Sequence, residues 1–220
     1  MAHDYLIFME KEKRKMKEKM RKKSKFLVMF GCLILLCISF SINSEAASAY
    51  KKIYKNLLKK ESCTYTSSSG HKVTVNFNYF TLLDIDRNGV PELITSEDTS
   101  LMYGDVFTVK NNRLRYLGDI FNKYHDGIRY NPKAKGLVLA EGGTGVSGET
   151  LWKIVNGKLK ETLRIEASCR TSNKTIYYLN NKKCSAKTFR RYREKYFSKS
   201  KVKIAKVVKN NSTNRRKKLK

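Results

Sequence analysis

The most specific chemistry in this chain is concentrated in one short stretch, Asp84-Ile85-Asp86-Arg87-Asn88-Gly89-Val90-Pro91-Glu92-Leu93. Oxygen-bearing side chains stand at its first, third, fifth and ninth places, with glycine at the sixth. Alternate spacing lets a tightly turning backbone aim Asp84, Asp86 and Asn88 at one centre, while Gly89 supplies the sharp turn and Val90 offers its carbonyl. Glu92 closes the set, and hard oxygen donors of this kind suit Ca²⁺. Three carboxylates brought together without a cation would repel one another, which is what makes the spacing specific. The plainer reading of the same residues is a metal-free acidic turn between two strands.

The loop is not a standard EF-hand. Its twelfth place is Thr95, where a bidentate glutamate belongs, and its flanks read as strands. It resembles the calcium loops of integrin-type FG-GAP and VCBS-like repeats, in which a D-x-D-x-[DN]-G-x-x-[DE] turn joins two strands. That resemblance implies side-chain ligation by Asp84, Asp86, Asn88 and Glu92 and backbone ligation by Val90. The wider order of elements, over roughly residues 50–197, is similar to small secreted proteins of clostridia-like Gram-positive bacteria. What this implies is calcium and export, with no particular reaction. One such loop is too few for the several blades of a propeller. Arg87 and the positive chain would weaken the site, leaving a Kd on the order of 10⁻⁴–10⁻³ M, which external calcium would still fill.

Other catalytic patterns are poor. His71 and His125 could form an acid–base pair cleaving RNA, but they stand far apart in turn-like surroundings. The run from Glu141 to Glu149 is glycine-rich yet lacks the Lys-Ser/Thr ending of a phosphate-binding loop, and reads as a flexible connection. There is no G-x-S-x-G, no H-E-x-x-H and no C-x-x-C. The expectation is a protein that is not an enzyme, with no small-molecule substrate.

Charge and leader set the context. The chain has 220 residues and a formal charge of +28. Such an excess calls for polyanionic surroundings, whether nucleic acid, lipid or cell wall. Basic residues from Lys11 to Lys25 precede an apolar run from Phe26 to Phe40, which ends in Ala47-Ser48-Ala49. This predicts a secretory signal peptide over 1–49, cleaved after Ala49, in preference to an uncleaved anchor. Cys32 and Cys37 lack a lipobox and leave with it. Of Cys63, Cys169 and Cys184, the pair Cys169–Cys184 could bridge in an exported protein, with buried free thiols as the alternative.

The elements that must position the loop follow from periodicity. Tyr50, Ile53, Tyr54, Leu57 and Leu58 form one apolar stripe, predicting a core-facing helix over 50–61. Val73, Val75, Phe77 and Tyr79 alternate with polar residues, predicting one strand that Leu82 and Leu83 carry to Asp84. Asn111-Asn112, Asn156-Gly157 and Asn180-Asn181 each separate two strand-like runs and predict hairpins. Ser185 caps a helix over 186–197 with Phe189, Tyr192 and Tyr196 on one face. Val202, Ile204 and Val207 suggest a short last strand. The fold class is therefore α+β, a single domain over 50–208, followed by a disordered basic tail over 209–220 in which Arg215, Arg216, Lys217, Lys218 and Lys220 bind polyanions. The expected partners are anionic cell-wall polymers or a lipid surface, with nucleic acid ranked below them and a secreted nuclease as the alternative function.

Overall fold

Asparagine-rich turns organise most of this chain. The computed structural model describes residues 49–66, 71–99, 103–122, 128–169 and 174–220. At Asn111-Asn112, Asn156-Gly157 and Asn180-Asn181 both central residues have φ between 49° and 72°, the left-handed geometry that two-residue hairpins require. They join β5 (Tyr103–Lys110) to β6 (Arg113–Phe121), β9 (Val146–Val155) to β10 (Lys158–Ser168), and β11 (Ile176–Leu179) to β12 (Lys182–Cys184). The three predicted hairpins thus form where the sequence places them, and every strand pair in the domain is antiparallel.

Helix α1, described over 49–58, is followed by the hairpin of β1 (Ser62–Thr66) and β2 (Lys72–Asn76), which forms a two-stranded sheet of its own. A five-stranded sheet runs in the order β14-β3-β4-β5-β6, with β3 at Tyr79–Leu83, β4 at Glu92–Ser96 and β14 at Val208–Lys209. A seven-stranded sheet runs β12-β11-β10-β9-β8-β7-β13, with β7 at Ile128–Asn131, β8 at Gly136–Gly143 and β13 at Lys203–Ala205. Helix α2 (Ala186–Tyr196) packs on the latter sheet, and α3 (Ser212–Lys218) ends the chain. Neither sheet closes into a barrel; the class is α+β and not a full propeller.

Strand alternation sends neighbouring residues into different cores. Leu93 and Phe107 point to a first core with Tyr54, Leu57 and Leu58 of α1, whereas Ile94 and Val106 point to a second. That second core joins the two larger sheets, because Leu137 and Leu139 of β8 enter it beside Ile128. Val138, between them, faces α2 in a third core with Leu151, Ile165 and Phe189. The α1 stripe is core-facing as expected, and Ser185 caps α2 by accepting the Thr188 N–H at 3.1 Å.

Several expectations need correction. The run predicted as one strand from Val73 to Leu83 is two, broken at Phe77 and Asn78. There the Phe77 N–H donates to the Glu61 carbonyl and the Asn78 carbonyl accepts from Asn210, so the chain leaves one sheet for another. The Gly-rich segment is not a flexible loop: β8 and β9 extend through it and turn only at Thr144-Gly145. The final strand region splits into β13, paired with β7, and β14, paired with β3. The tail over 209–220 is folded. Asn210 donates to the Leu58 and Phe77 carbonyls, α3 follows, and Leu219 is buried in the first core. The Asn210 and Arg215 hydrogen bonds together with the buried Leu219 anchor it, so the ordered chain runs past 208. The leader reading of 1–49 lies outside the described residues apart from Ala49, which opens α1. No helix among the described residues is long and apolar enough to cross a membrane.

Candidate metal centre

The Asp84 loop connects β3 to β4 in the five-stranded sheet. Leu83 pairs with Glu92, so the strands fix both ends of the loop in register. Between them the backbone turns through Arg87 at φ 59° and Gly89 at φ 88°. The turn aims N–H groups inward at the carboxylates. Asn88 donates to Asp84 Oδ1 at 3.0 Å and to Asp86 Oδ1 at 3.2 Å, and Gly89 donates to Asp84 Oδ2 at 3.1 Å. These bonds hold two aspartates on the inside of the loop.

Glu92 comes from the opposite side. It is the first residue of β4 and fully buried, with Oε2 accepting the Ile85 N–H at 2.9 Å and Oε1 accepting the Thr108 hydroxyl at 3.0 Å. One carboxylate oxygen from each of Asp84, Asp86 and Glu92 lies within 4.8 Å of the others. Burial pushes the Glu92 carboxyl up to about 8, and the charges of Asp86 and Asp84 add to the rise against the two hydrogen bonds, which oppose it. A buried carboxylate facing two others is costly as an anion unless a cation joins it. The three acids can hold a metal ion, and their oxygen-only donor set fits a hard one.

The other two expected ligands stand differently. The Asn88 amide oxygen accepts from Val90 N at 2.7 Å and its amide nitrogen donates to Asp86 Oδ2 at 3.0 Å, so its side chain braces the loop. Val90 packs its side chain against the first core. Beneath the loop, the Tyr54 hydroxyl of α1 donates to the Pro91 carbonyl at 3.0 Å, tying the helix to the turn. Thr108 and Tyr54 carry no motif that marks them as part of the site, and only the fold brings them to it. Thr108 stood between Phe107 and Val109, and a hydroxyl inside a buried strand was the available signal.

Compared with known proteins, the chain matches no family model, no curated protein and no solved structure. The site therefore rests on its own geometry.

The remaining expected site residues are dispersed. Cys169 and Cys184 are free thiols, correcting the bridge: Cys184 packs against the third core, while the exposed Cys169 directs its Sγ to the Gly145 carbonyl at 3.4 Å. Arg215 is structural, donating to the Leu58 carbonyl at 3.3 Å and to Asn210 Oδ1 at 2.8 Å. Arg216, Lys217, Lys218 and Lys220 remain exposed, now ordered on and after α3. His71 is exposed at the start of the β2 hairpin arm, and His125 lies outside the described residues.

Proposed function

We propose that this chain is an exported, non-enzymatic calcium-binding module that works at the cell envelope or in the extracellular medium and meets polyanions through its basic surface. The observation that carries the metal half is the convergence of Asp84 and Asp86 on the buried Glu92. Calcium fits because the donors are all oxygens on a nine-residue turn between strands, as in the FG-GAP-like loops it resembles. The role of the ion is structural. It joins the end of β3 to the start of β4, and through Pro91 and Tyr54 it reaches α1. The basic leader and A-x-A site support export, and export with loss of the leader's net +5 places a net charge of +23 on residues 50–220 among wall polymers and anionic lipids.

Isothermal titration of Ca²⁺ into the full chain, beside Asp84→Ala, tests the metal half. Binding with a Kd on the order of 10⁻⁴–10⁻³ M is expected for the native chain. Equal heats for both proteins would refute it.

A further inference from the structure

The lysines that gather around one cleft are not those of the C-terminal helix. A cavity of about 610 Å³ is lined by Lys133 and Lys135 of the β7–β8 turn, Lys153 of β9, Lys195 of α2 and Lys201 beyond it. Tyr196, Ile154 and Ala134 give it an apolar side, and Asp86 is the one acid among its lining residues. The ion pairs formed among described residues are those of Arg164 with Glu141 and Glu161, and of Arg193 with Glu149. None of the five lysines takes part. Five lysines on four separate segments thus line one space with no ion pair to a carboxylate among the described residues.

The arrangement is built. Asn131 is almost fully buried and joins the lysine-bearing segments: its Nδ2 donates to the Tyr196 carbonyl at 2.8 Å, and its Oδ1 accepts from Lys133 N at 3.1 Å and Ala134 N at 2.9 Å. The turn closes with Lys135 at φ 53°, a backbone conformation glycine adopts more cheaply. A single amide therefore fixes the turn against the end of α2, and with it the spacing of Lys133 and Lys135 from Lys195.

We propose that this cleft binds a polymer bearing repeated phosphate groups, recognised by charge and without base stacking. Compact ammonium groups on flexible stems bind phosphates as point charges. Stacking is unavailable because the only aromatic ring lining the cleft among the described residues, Tyr196, carries the Lys195 ammonium at 5.0 Å and lies against Tyr192 at 6.0 Å. The inference deepens the polyanion half of the proposed function and rests on it, but not on the metal half.

The test measures binding of end-labelled linear polyphosphate to the full chain by fluorescence anisotropy, with no divalent cation added. Two triple variants remove the same charge: Lys133→Gln/Lys153→Gln/Lys195→Gln in the cleft, and Arg216→Gln/Lys217→Gln/Lys218→Gln on α3. The cleft variant is expected to weaken binding tenfold or more and to flatten the salt dependence by about two in log–log slope. The α3 variant is expected to change affinity less than threefold. Lys133→Arg/Lys153→Arg/Lys195→Arg should restore binding, which separates loss of charge from loss of fold. Equal weakening by both triples would overturn the cleft and leave the polyanion reading standing. No binding by the native chain would overturn both. Tighter binding to a single-stranded oligonucleotide of matched charge would overturn the exclusion of bases. Binding to phosphatidylglycerol vesicles but not to polyphosphate would overturn the soluble polymer as the ligand.

Discussion

The acidic loop and the lysine cleft meet at Asp86, and their charges are held in opposite ways. In the loop, like charges are drawn together by backbone N–H groups, and one of them, Glu92, is removed from water altogether. In the cleft, four of the five lysines stay exposed and only the backbone that carries them is fixed, by Asn131. Burial makes the first arrangement expensive and selective for an ion that can enter it. Solvation makes the second cheap and sensitive to salt. One region would use charge for structure, the other for attraction.

That contrast can be broken most sharply by truncation. Glu92→Ala removes the acceptor of the Ile85 N–H and the Thr108 hydroxyl in a buried site, and should cost about 2–4 kcal/mol in urea unfolding. If Glu92→Ala instead left stability unchanged, the loop would be no more demanding than the cleft.

A second, graded effect is pH dependence. The Glu92 carboxyl is raised from 4.5 to about 8 in the folded chain, so between those values the unfolded chain loses a proton that the folded chain keeps. Without metal, stability should therefore fall as pH rises through that window and level off above it. Metal binding must displace the proton below about pH 8, so affinity should tighten up to tenfold per pH unit there and flatten beyond. Titrations from pH 6 to about 9 by calorimetry in buffers of different ionisation enthalpy would show the released proton.

Asn131→Ala comes next, since it loses three hydrogen bonds from a buried amide; about 1–3 kcal/mol is expected, read by thermal melting. Its polyphosphate affinity should drop even where the fold persists. Smallest of all, Lys133→Ala should alter stability by no more than about 0.5 kcal/mol, as for most exposed charges. A larger loss in urea unfolding would mean that the lysine packs rather than attracts.

The same two regions explain what could be read in the sequence. The loop was legible because its acids fall within nine residues and the turn that gathers them is local, as were the hairpins with their left-handed asparagines. The α1 stripe was legible because helical periodicity is local too. Lys133, Lys135, Lys153, Lys195 and Lys201 carry no such signal as a group, because the pairing of β7 with β8, the pairing of β8 with β9 and the packing of α2 bring them together. The break at Phe77-Asn78 was hidden for a related reason: its hydrogen bonds go to Glu61 and Asn210, far away in sequence. Leu219 sits inside a lysine run, where composition masks one buried side chain.

The central claim is that the Asp84 loop holds calcium between Asp84, Asp86 and Glu92. Diffraction from crystals of the protein soaked in calcium tests it most directly. The account predicts an anomalous difference peak at about 2.3–2.6 Å from a carboxylate oxygen of each of the three residues. No peak at millimolar calcium above pH 8, with the three acids well ordered, would contradict it.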